Sequence, residues 1–528
     1  MATDLSPVEL ARRSWHLGLL DPTMPAAATG AFLATGPSLA MPYTMAALRF
    51  PRRVAITDDI GSLTYLQLVM RIEKLAVALR TAGIEADDRV GLLCRNHRGF
   101  VELNAALARI GAVPVYLNTG FGVDQLKAVV AREKAVVVFH DDEFTSIVND
   151  VGCSSYVVAP EGDAAWSVPD LSPPRIAFNP RLRSAPPTGV LLTSGTTGTP
   201  KGARRGTSVD AAAVGALFAL PRHRGARSYV AAPLFHAWGL SQLALGATFA
   251  QAIRMRRVFD AERTIADMGH QRTEELFAVP VMLQRILDVL PEGDAFIAGN
   301  LRLTATSGSA LSGPLAQRWM DAYGDTLHNF YGSTEVGHVA VAGPADLRRS
   351  PGCAGRPPIG AHIRLLDDAG REVADGETGR IVARNGAHFE GYTGGGTKRV
   401  VDGYMETGDI GHLDEHGLLH VTGRADDMIV SGGENLFPGE IEDFLLGLPG
   451  VIDAAAVGIP DDEFGQVVGA VVVPRPGTTL DPVALRTAVK ASLATFKAPK
   501  RVLVVSDIPR NATGKIRRNR VQDLLDAQ

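Results

Sequence analysis

LLTSGTTGTPKG, residues 191–202, decides how the rest of this chain is read. Val190, Leu191 and Leu192 read as a short apolar strand that runs into Thr193, Ser194, Gly195, Thr196, Thr197, Gly198, Thr199, Pro200 and Lys201. Such a loop offers hydroxyl donors, backbone amides left uncovered by glycine, and one cation, which is the set that several phosphate oxygens require. It is not a Walker loop, because Gly202 follows Lys201 where that motif needs Ser or Thr.

Outward from this loop the chain alternates between two kinds of run. Upstream, apolar spacing predicts a helix over 66–82, a strand over 89–94, a helix over 100–110 and a strand over 112–116. Around and after the loop it predicts strand 190–193, helix 209–220, strand 229–232, helix 276–290 and strand 301–307. This is the grammar of an α/β fold with parallel sheets, a large body of repeated α/β layers. Between residues 352 and 423 the runs shorten and turn signals appear, DDAG at 367–370 and DEHG at 414–417, which predicts a small antiparallel barrel or sheet. Beyond Arg424 the pattern gives helices 438–446 and 482–493 and strands 454–458 and 469–474, a separate α+β unit. The expected organisation is therefore a domain over 1–424, with the antiparallel part at about 352–423, and a small separate domain over 425–528.

Composition bounds what this body can do. The 528 residues are 46% hydrophobic and 21% charged, which supplies a core and excludes disorder as the main theme. With 53 basic and 57 acidic side chains and a net charge of −4, no overall basic footprint exists for nucleic acid, so bound anions must be met locally. Cys94, Cys153 and Cys353 form no CxxC pair and suggest neither zinc nor a disulfide framework. No signal-peptide core follows Arg12 and Arg13, so a cytoplasmic location is expected. Residues 22–48 carry no charge and are long enough to span a bilayer, but Pro22, Pro25, Pro37 and Pro42 are expected to break helices there, and Ala and Thr dominate. A span is not expected; peripheral membrane association stays open.

Five further stretches follow in order: PLFHAWG (233–239), NFYGSTE (329–335), YMETGD (404–409), GRADDMIVSGGENLFPGEIE (423–442) and PRNATGKIRR (509–518). Together with residues 191–202 they make the chain, from about residue 48 to 523, resemble the adenylate-forming (AMP-binding) superfamily, which includes acyl-CoA synthetases, luciferases and peptide-synthetase adenylation domains. The resemblance implies ATP and coenzyme A as co-substrates and Mg²⁺ as the metal. It implies that Thr193, Ser194, Gly195, Thr196, Thr197, Gly198 and Lys201 take the phosphates, and that Tyr331, Gly332, Ser333 and Thr334, with Ser307, Gly308 and Ser309, complete the ATP site. Glu335 and Thr193 would hold the metal, a role that suits hard oxygen donors. Asp409 and Arg424 would grip the ribose hydroxyls, Asp426 would be the hinge of a mobile small domain, and Ser431, Gly432 and Gly433 would line the pantetheine tunnel.

Lys515 would stabilise the pentavalent phosphorus of the adenylation step, and it sits in a terminal segment, 495–528, with eight basic residues against three acidic ones. His412, His416 and His420 are spaced four apart, but the DEHG turn among them predicts a hairpin rather than a metal-binding helix face.

The acid is the least constrained partner. Residues 228–253 contain no Asp, Glu, Lys or Arg, and His236 stands where amino-acid-activating relatives place a carboxylate, so an amino acid is disfavoured and His236 joins the catalytic set. PLFHAWG resembles bacterial fatty-acyl-CoA synthetases, although Ser309 stands where many relatives have a second glycine, and Trp238 does not fall at the spacing of the tryptophan gate of long-chain members. The expected activity is conversion of a medium- or long-chain fatty acid to acyl-AMP and then to acyl-CoA, with AMP and pyrophosphate released. Two alternatives are an acyl-AMP ligase that loads a carrier protein and a lipid-binding or transport protein without turnover. Glu335, Asp409 and Lys515 argue against the second, since a passive binder needs none of them. A homodimer is compatible with all of these readings.

Overall fold

The computed structural model describes residues 7–158, 189–193, 200–205, 215, 218–290, 299–386, 389–431 and 434–527. Two sheets form the large part. One has seven strands in the order Phe389–Tyr392, Lys201–Arg205, Val190–Thr193, Val113–Tyr116, Arg89–Leu93, Val137–His140 and Ser154–Val157. The last five are parallel, and the first two add antiparallel strands at one edge. The other sheet has eight strands, with a parallel centre that includes Arg227–Val230, Glu275–Ala278, Leu303–Thr306 and Leu327–Ser333.

Helix Arg98–Ile110 is buried along its whole length. Such a helix tolerates charges only when each is paired. Glu102 accordingly takes Arg71 at 2.6 Å, Arg109 donates to Glu73 at 2.8 Å, and Arg98 meets Asp58. The helix starts at His97, whose Nδ1 accepts from Gly99 N, and stops at Gly111 in the left-handed region at φ 83°. The other imidazole nitrogen of His97 bonds Asp141 at 2.7 Å, so the His97 ring beside Cys94 is fully engaged by protein.

The antiparallel part is a five-stranded sheet built on Tyr404–Leu413, which pairs with Gly379–Arg384, Val400–Val401 and Leu419–Arg424. His412 lies opposite His420 in that hairpin, with the rings stacked at 5.1 Å, as the turn implied. Past Arg424, the short 3-10 segment Ala425–Asp427 leads to the last sheet, whose long hairpin Val451–Asp461 and Gly465–Pro474 is covered on both faces. Ile441, Leu445 and Val489 pack on one face, and Val521 and Leu525 on the other. Each such side chain contributes about 1.5–3 kcal/mol on full burial.

Two expectations are corrected here. Residues 276–290 are not one helix: Glu275–Ala278 is a strand and Pro280–Asp288 a helix, because Pro280 at the first helical position marks a boundary inside a continuous apolar run. The prolines of 22–48 do not prevent helices either. Thr23–Thr35 and Met41–Arg49 are both helical, with Pro22, Pro25 and Pro42 at or within their first turns, where no intrahelical N–H is lost, and Pro37 between them. No described helix is long and apolar enough to cross a membrane. The expected helix 209–220 lies largely outside the described residues.

His328, buried in strand Leu327–Ser333, gives a stability prediction. Burial depresses its pKa from 6.5 to about 4, against a hydrogen bond to Thr326 O that acts the other way. The unfolded chain therefore binds the proton first, and the stabilisation, present above pH 6.5, is lost as pH falls toward 4. His328→Gln should flatten the fall in melting temperature across that window by up to about 3 kcal/mol in stability. Thermal unfolding of both proteins from pH 7 to pH 4 checks it.

Candidate active site

Thr193 ends strand Val190–Thr193, Ser307 follows Leu303–Thr306 and Ser333 ends Leu327–Ser333, so these candidates lie at carboxyl ends of strands, the place where open α/β sheets bind ligands. Strand Val190–Thr193 turns back as Lys201–Arg205, with Thr193 opposite Lys201 and Thr193 Oγ1 donating to Lys201 O at 3.2 Å. Ser194, Gly195, Thr196, Thr197 and Gly198, the tip between them, lie outside the described residues. Gly202 must be glycine: a Cβ there would stand 2.6 Å from Thr393 Oγ1 and 2.7 Å from Glu133 Oε1.

Tyr331, Gly332 and Ser333 end strand Leu327–Ser333, and Thr334 and Glu335 form the turn into Gly337–Ala342. The turn is tight enough that a Cβ on Gly332 would meet Gly337 O at 2.1 Å. Tyr331 donates its hydroxyl to Asp409 Oδ2 at 2.6 Å, and Asp409 lies directly across the hairpin from Arg424. Burial raises the Asp409 pKa, while the Tyr331 hydroxyl and the charges of Arg424, Lys398 and Lys515 pull it back. Glu335 is 8% exposed and accepts from Tyr392 Oη at 3.1 Å. Its carboxylate makes no ion pair within 4.0 Å among the described residues.

Ser307, Gly308 and Ser309 follow strand Leu303–Thr306, half-buried, with Gly308 at φ 97° and a Cβ position 3.8 Å from the His236 ring. His236 caps helix Ala237–Thr248, its Nδ1 accepting from Trp238 N at 3.4 Å. Trp238 is buried, packs against Phe277 and Phe330, and donates Nε1–H to Ala278 O at 3.0 Å.

Lys515 arrives from the small domain. Its loop is preformed by Asn511, whose Oδ1 accepts from Thr513 N, Thr513 Oγ1 and Lys515 N at 3.0, 2.7 and 2.9 Å. Gly514, at φ 82°, brings the loop against the large domain: a Cβ would stand 2.7 Å from Val281 Cγ1. Ala512 lies against Gly120 in the same way. Burial and then Arg424 push the Lys515 pKa down, and Asp409, Glu335 and Asp427 oppose them. Tyr331, Asp409 and Arg424 are thus in direct register, and Lys515 lies within electrostatic reach of Arg424, Asp409 and Glu335.

Asp426 sits in the 3-10 segment with its carboxylate 3.6 Å from Arg424 Nη2. Ser431 is buried in the small domain's sheet, and Gly432 and Gly433 lie outside the described residues. Sequence reasoning missed Asn511, Tyr392 and Asn96. Asn96 clamps the start of PLFHAWG, donating to Ala232 O and accepting from Leu234 N, both at 2.9 Å.

This layout, a large body with two mostly parallel α/β sheets followed by an antiparallel sheet and a small α+β domain, is that of adenylate-forming enzymes. The chain belongs to the AMP-binding enzyme family: the family profile matches residues 43–393, and that of the AMP-binding enzyme C-terminal domain matches 440–515. It is 33% identical to a feruloyl-CoA synthase of an Amycolatopsis species, over 89% of this chain and 96% of that one. It is 32% identical to an indoleacetate–CoA ligase of Aromatoleum aromaticum, over 91% and 95%. Its fold is similar to that of the o-succinylbenzoate CoA synthetase of Bacillus subtilis in complex with an acyl-adenylate, at TM-score 0.78 and 25% identity, covering 92% of this chain and 98% of that one.

Proposed function

We propose that this protein is an AMP-forming acid–CoA ligase. The carboxylate of the acid attacks the α-phosphorus of ATP, pyrophosphate leaves, and the thiolate of CoA then attacks the carbonyl of the acyl adenylate and expels AMP. The observation that carries this reading is the convergence of Lys515 with Asp409, Arg424, Tyr331 and Glu335 across two domains.

In this reading Asp409 accepts from the ribose hydroxyls with Arg424 beside it, and Tyr331 lies along the adenine. Lys515 and the loop from Thr193 through Ser194, Gly195, Thr196, Thr197 and Gly198 to Lys201 stabilise charge on phosphate oxygens. Ser333 and Thr334 lie on the α-phosphate side, and Ser307, Gly308 and Ser309 border the acid. His236 orients the substrate carboxylate. A buried carboxylate without an ion pair among the described residues is a donor that fits a hard cation, so Glu335, with the Thr193 hydroxyl, would hold Mg²⁺, which supplies charge neutralisation on the polyphosphate. In the second half-reaction the small domain turns about Asp426 and brings Ser431, Gly432 and Gly433 to the pantetheine arm.

The acid is apolar and uncharged in its body, since helix Ala237–Thr248 carries no charge and follows His236 directly. Trp238, wedged against Phe277 and Phe330 with its indole N–H already used, favours a compact aryl or arylalkyl acid. The feruloyl- and indoleacetate-named relatives support the same class. A medium- or long-chain fatty acid is the second reading, supported by the same charge-free surface. A panel of cinnamate-type acids, indole-3-acetate and alkanoates from acetate to palmitate separates them by kcat/KM for CoA-dependent AMP release. Aryl acids should lead. A steady rise along the alkanoates, up to about 0.8 kcal/mol per methylene, would favour the fatty acid instead. A maximum at acetate or at an amino acid would contradict both.

A further inference from the structure

Tyr392 stands where two parts of the site meet, in a stretch, GYTGGGT, that carries no chemical signal of its own. Strand Phe389–Tyr392 is the edge of the seven-stranded sheet and runs antiparallel to Lys201–Arg205, with Tyr392 opposite Ala203. At one end of this strand Phe389 N donates to Glu335 O at 2.8 Å; at the other, Tyr392 Oη donates to Glu335 Oε1 at 3.1 Å. The same ring faces Lys201, whose Nζ lies 5.2 Å from its centroid, within the range of a cation–π contact. One side chain therefore touches both a carboxylate and a cation of the phosphate region.

The ring is itself held. Thr393 N donates to Gly202 O at 2.8 Å, and Thr393 Oγ1 donates to Glu133 Oε1 at 2.7 Å. Glu133 is fully buried and fixed by Arg89 at 2.9 Å and Arg132 at 2.8 Å. Tyr392 N donates to Gly396 O, closing the turn that follows. A phenol is protonated at neutral pH, so its hydroxyl is the donor to the carboxylate.

We propose that Tyr392 is a positioning residue that sets Glu335 and Lys201 in register before nucleotide arrives, coupling the phosphate hairpin to the metal carboxylate. The proposal rests on the reading of Glu335 as a metal ligand, so Glu335→Gln is measured alongside. Tyr392→Phe keeps the ring under Lys201 and removes only the donor. Loss of a hydrogen bond to a charged group should raise the Kd for Mg-ATP and the Mg²⁺ concentration for half-maximal binding by about tenfold. Affinity for AMP without metal, and thioester formation from supplied acyl adenylate, should stay unchanged.

Calorimetric binding of ATP across a Mg²⁺ series to the wild type, Tyr392→Phe, Glu335→Gln and the double variant tests this, with thermal unfolding of each. The expected result is that the Tyr392→Phe effect vanishes in the Glu335→Gln background. Equal weakening of AMP and Mg-ATP, or an undiminished effect in the double variant, would overturn the coupling and leave a structural tyrosine. Should Glu335→Gln itself leave the Mg²⁺ dependence intact, the metal-ligand reading fails, and the Tyr392 proposal with it. Should Tyr392→Phe not fold, Thr393→Val, which frees the same turn from Glu133, must shift the Mg²⁺ dependence in the same direction or the proposal is lost.

Discussion

Lys515→Ala should slow acyl-adenylate formation by about 100- to 1,000-fold, or roughly 3–4 kcal/mol, the usual loss for one transition-state donor. A large effect is expected because the loop around Lys515 is tied by its own hydrogen bonds before substrate binds. Three donors converge on Asn511 Oδ1, Arg510 Nη1 donates to Gly514 O at 2.8 Å, and Arg510 is anchored on Asp453 at 2.7 Å. Its ammonium is also under tension in the free protein, since burial and Arg424 disfavour the charge. On the proposed reading, arriving phosphate oxygens would relieve that tension and stabilise the cation better with polyphosphate than without. Thioester formation from supplied acyl adenylate should be nearly unaffected, because no charge then develops on a pentavalent phosphorus. Pyrophosphate exchange and single-turnover thioesterification, measured separately, check the split. Equal losses in both would contradict it.

The second large effect is expected at Asp426. On the proposed reading of Lys515, its place near Asp409, Glu335 and Arg424 corresponds to the adenylating arrangement, and Asp426 lies inside the 3-10 segment Ala425–Asp427. A 3-10 residue has φ near −50 to −70°, and proline is locked at about −65°. Asp426→Pro therefore suits the arrangement seen and opposes a rotation that changes this φ. Pyrophosphate exchange should persist, while CoA-dependent AMP release should fall by about 100-fold or more, as expected when a conformational step is blocked. The 3.6 Å ion pair with Arg424 is half-exposed and contributes little to stability, so the folded state should survive. Symmetric behaviour of the two half-reactions in a folded variant would contradict the hinge.

What the sequence made legible was local. The phosphate strand, the DEHG hairpin and helix Pro438–Leu446 are each specified within a dozen residues, by an apolar run bounded by turn or cap signals. The misreadings were local too. The run ELFAVPVMLQ carries strand and helix with equal apolarity, and only the placement of Pro280 divides them. The prolines of residues 22–48 look like breakers until their positions in the first helical turns are known.

What could not be read is long-range. Tyr392 reaches Glu335 across 57 positions, and Asn96 reaches Ala232 across 136. Neither amide nor phenol carries a periodicity that announces its partner, and only the pairing of sheet edges brings them together. Asn511 differs: three donors converge on it from within four residues, and the turn chemistry of Asn in NATGK was a signal available from the sequence.

The most direct test of the central claim follows the oxygen. Each acid of the panel, labelled with ¹⁸O in its carboxylate, is turned over with ATP, Mg²⁺ and CoA, and AMP is analysed by mass spectrometry. Attack of the carboxylate on the α-phosphorus, followed by thiolysis at the carbonyl, leaves one labelled oxygen in AMP and one in acyl-CoA. That distribution is expected for the accepted acid. Unlabelled AMP, or ADP and phosphate in place of AMP and pyrophosphate, would contradict adenylate formation at this site.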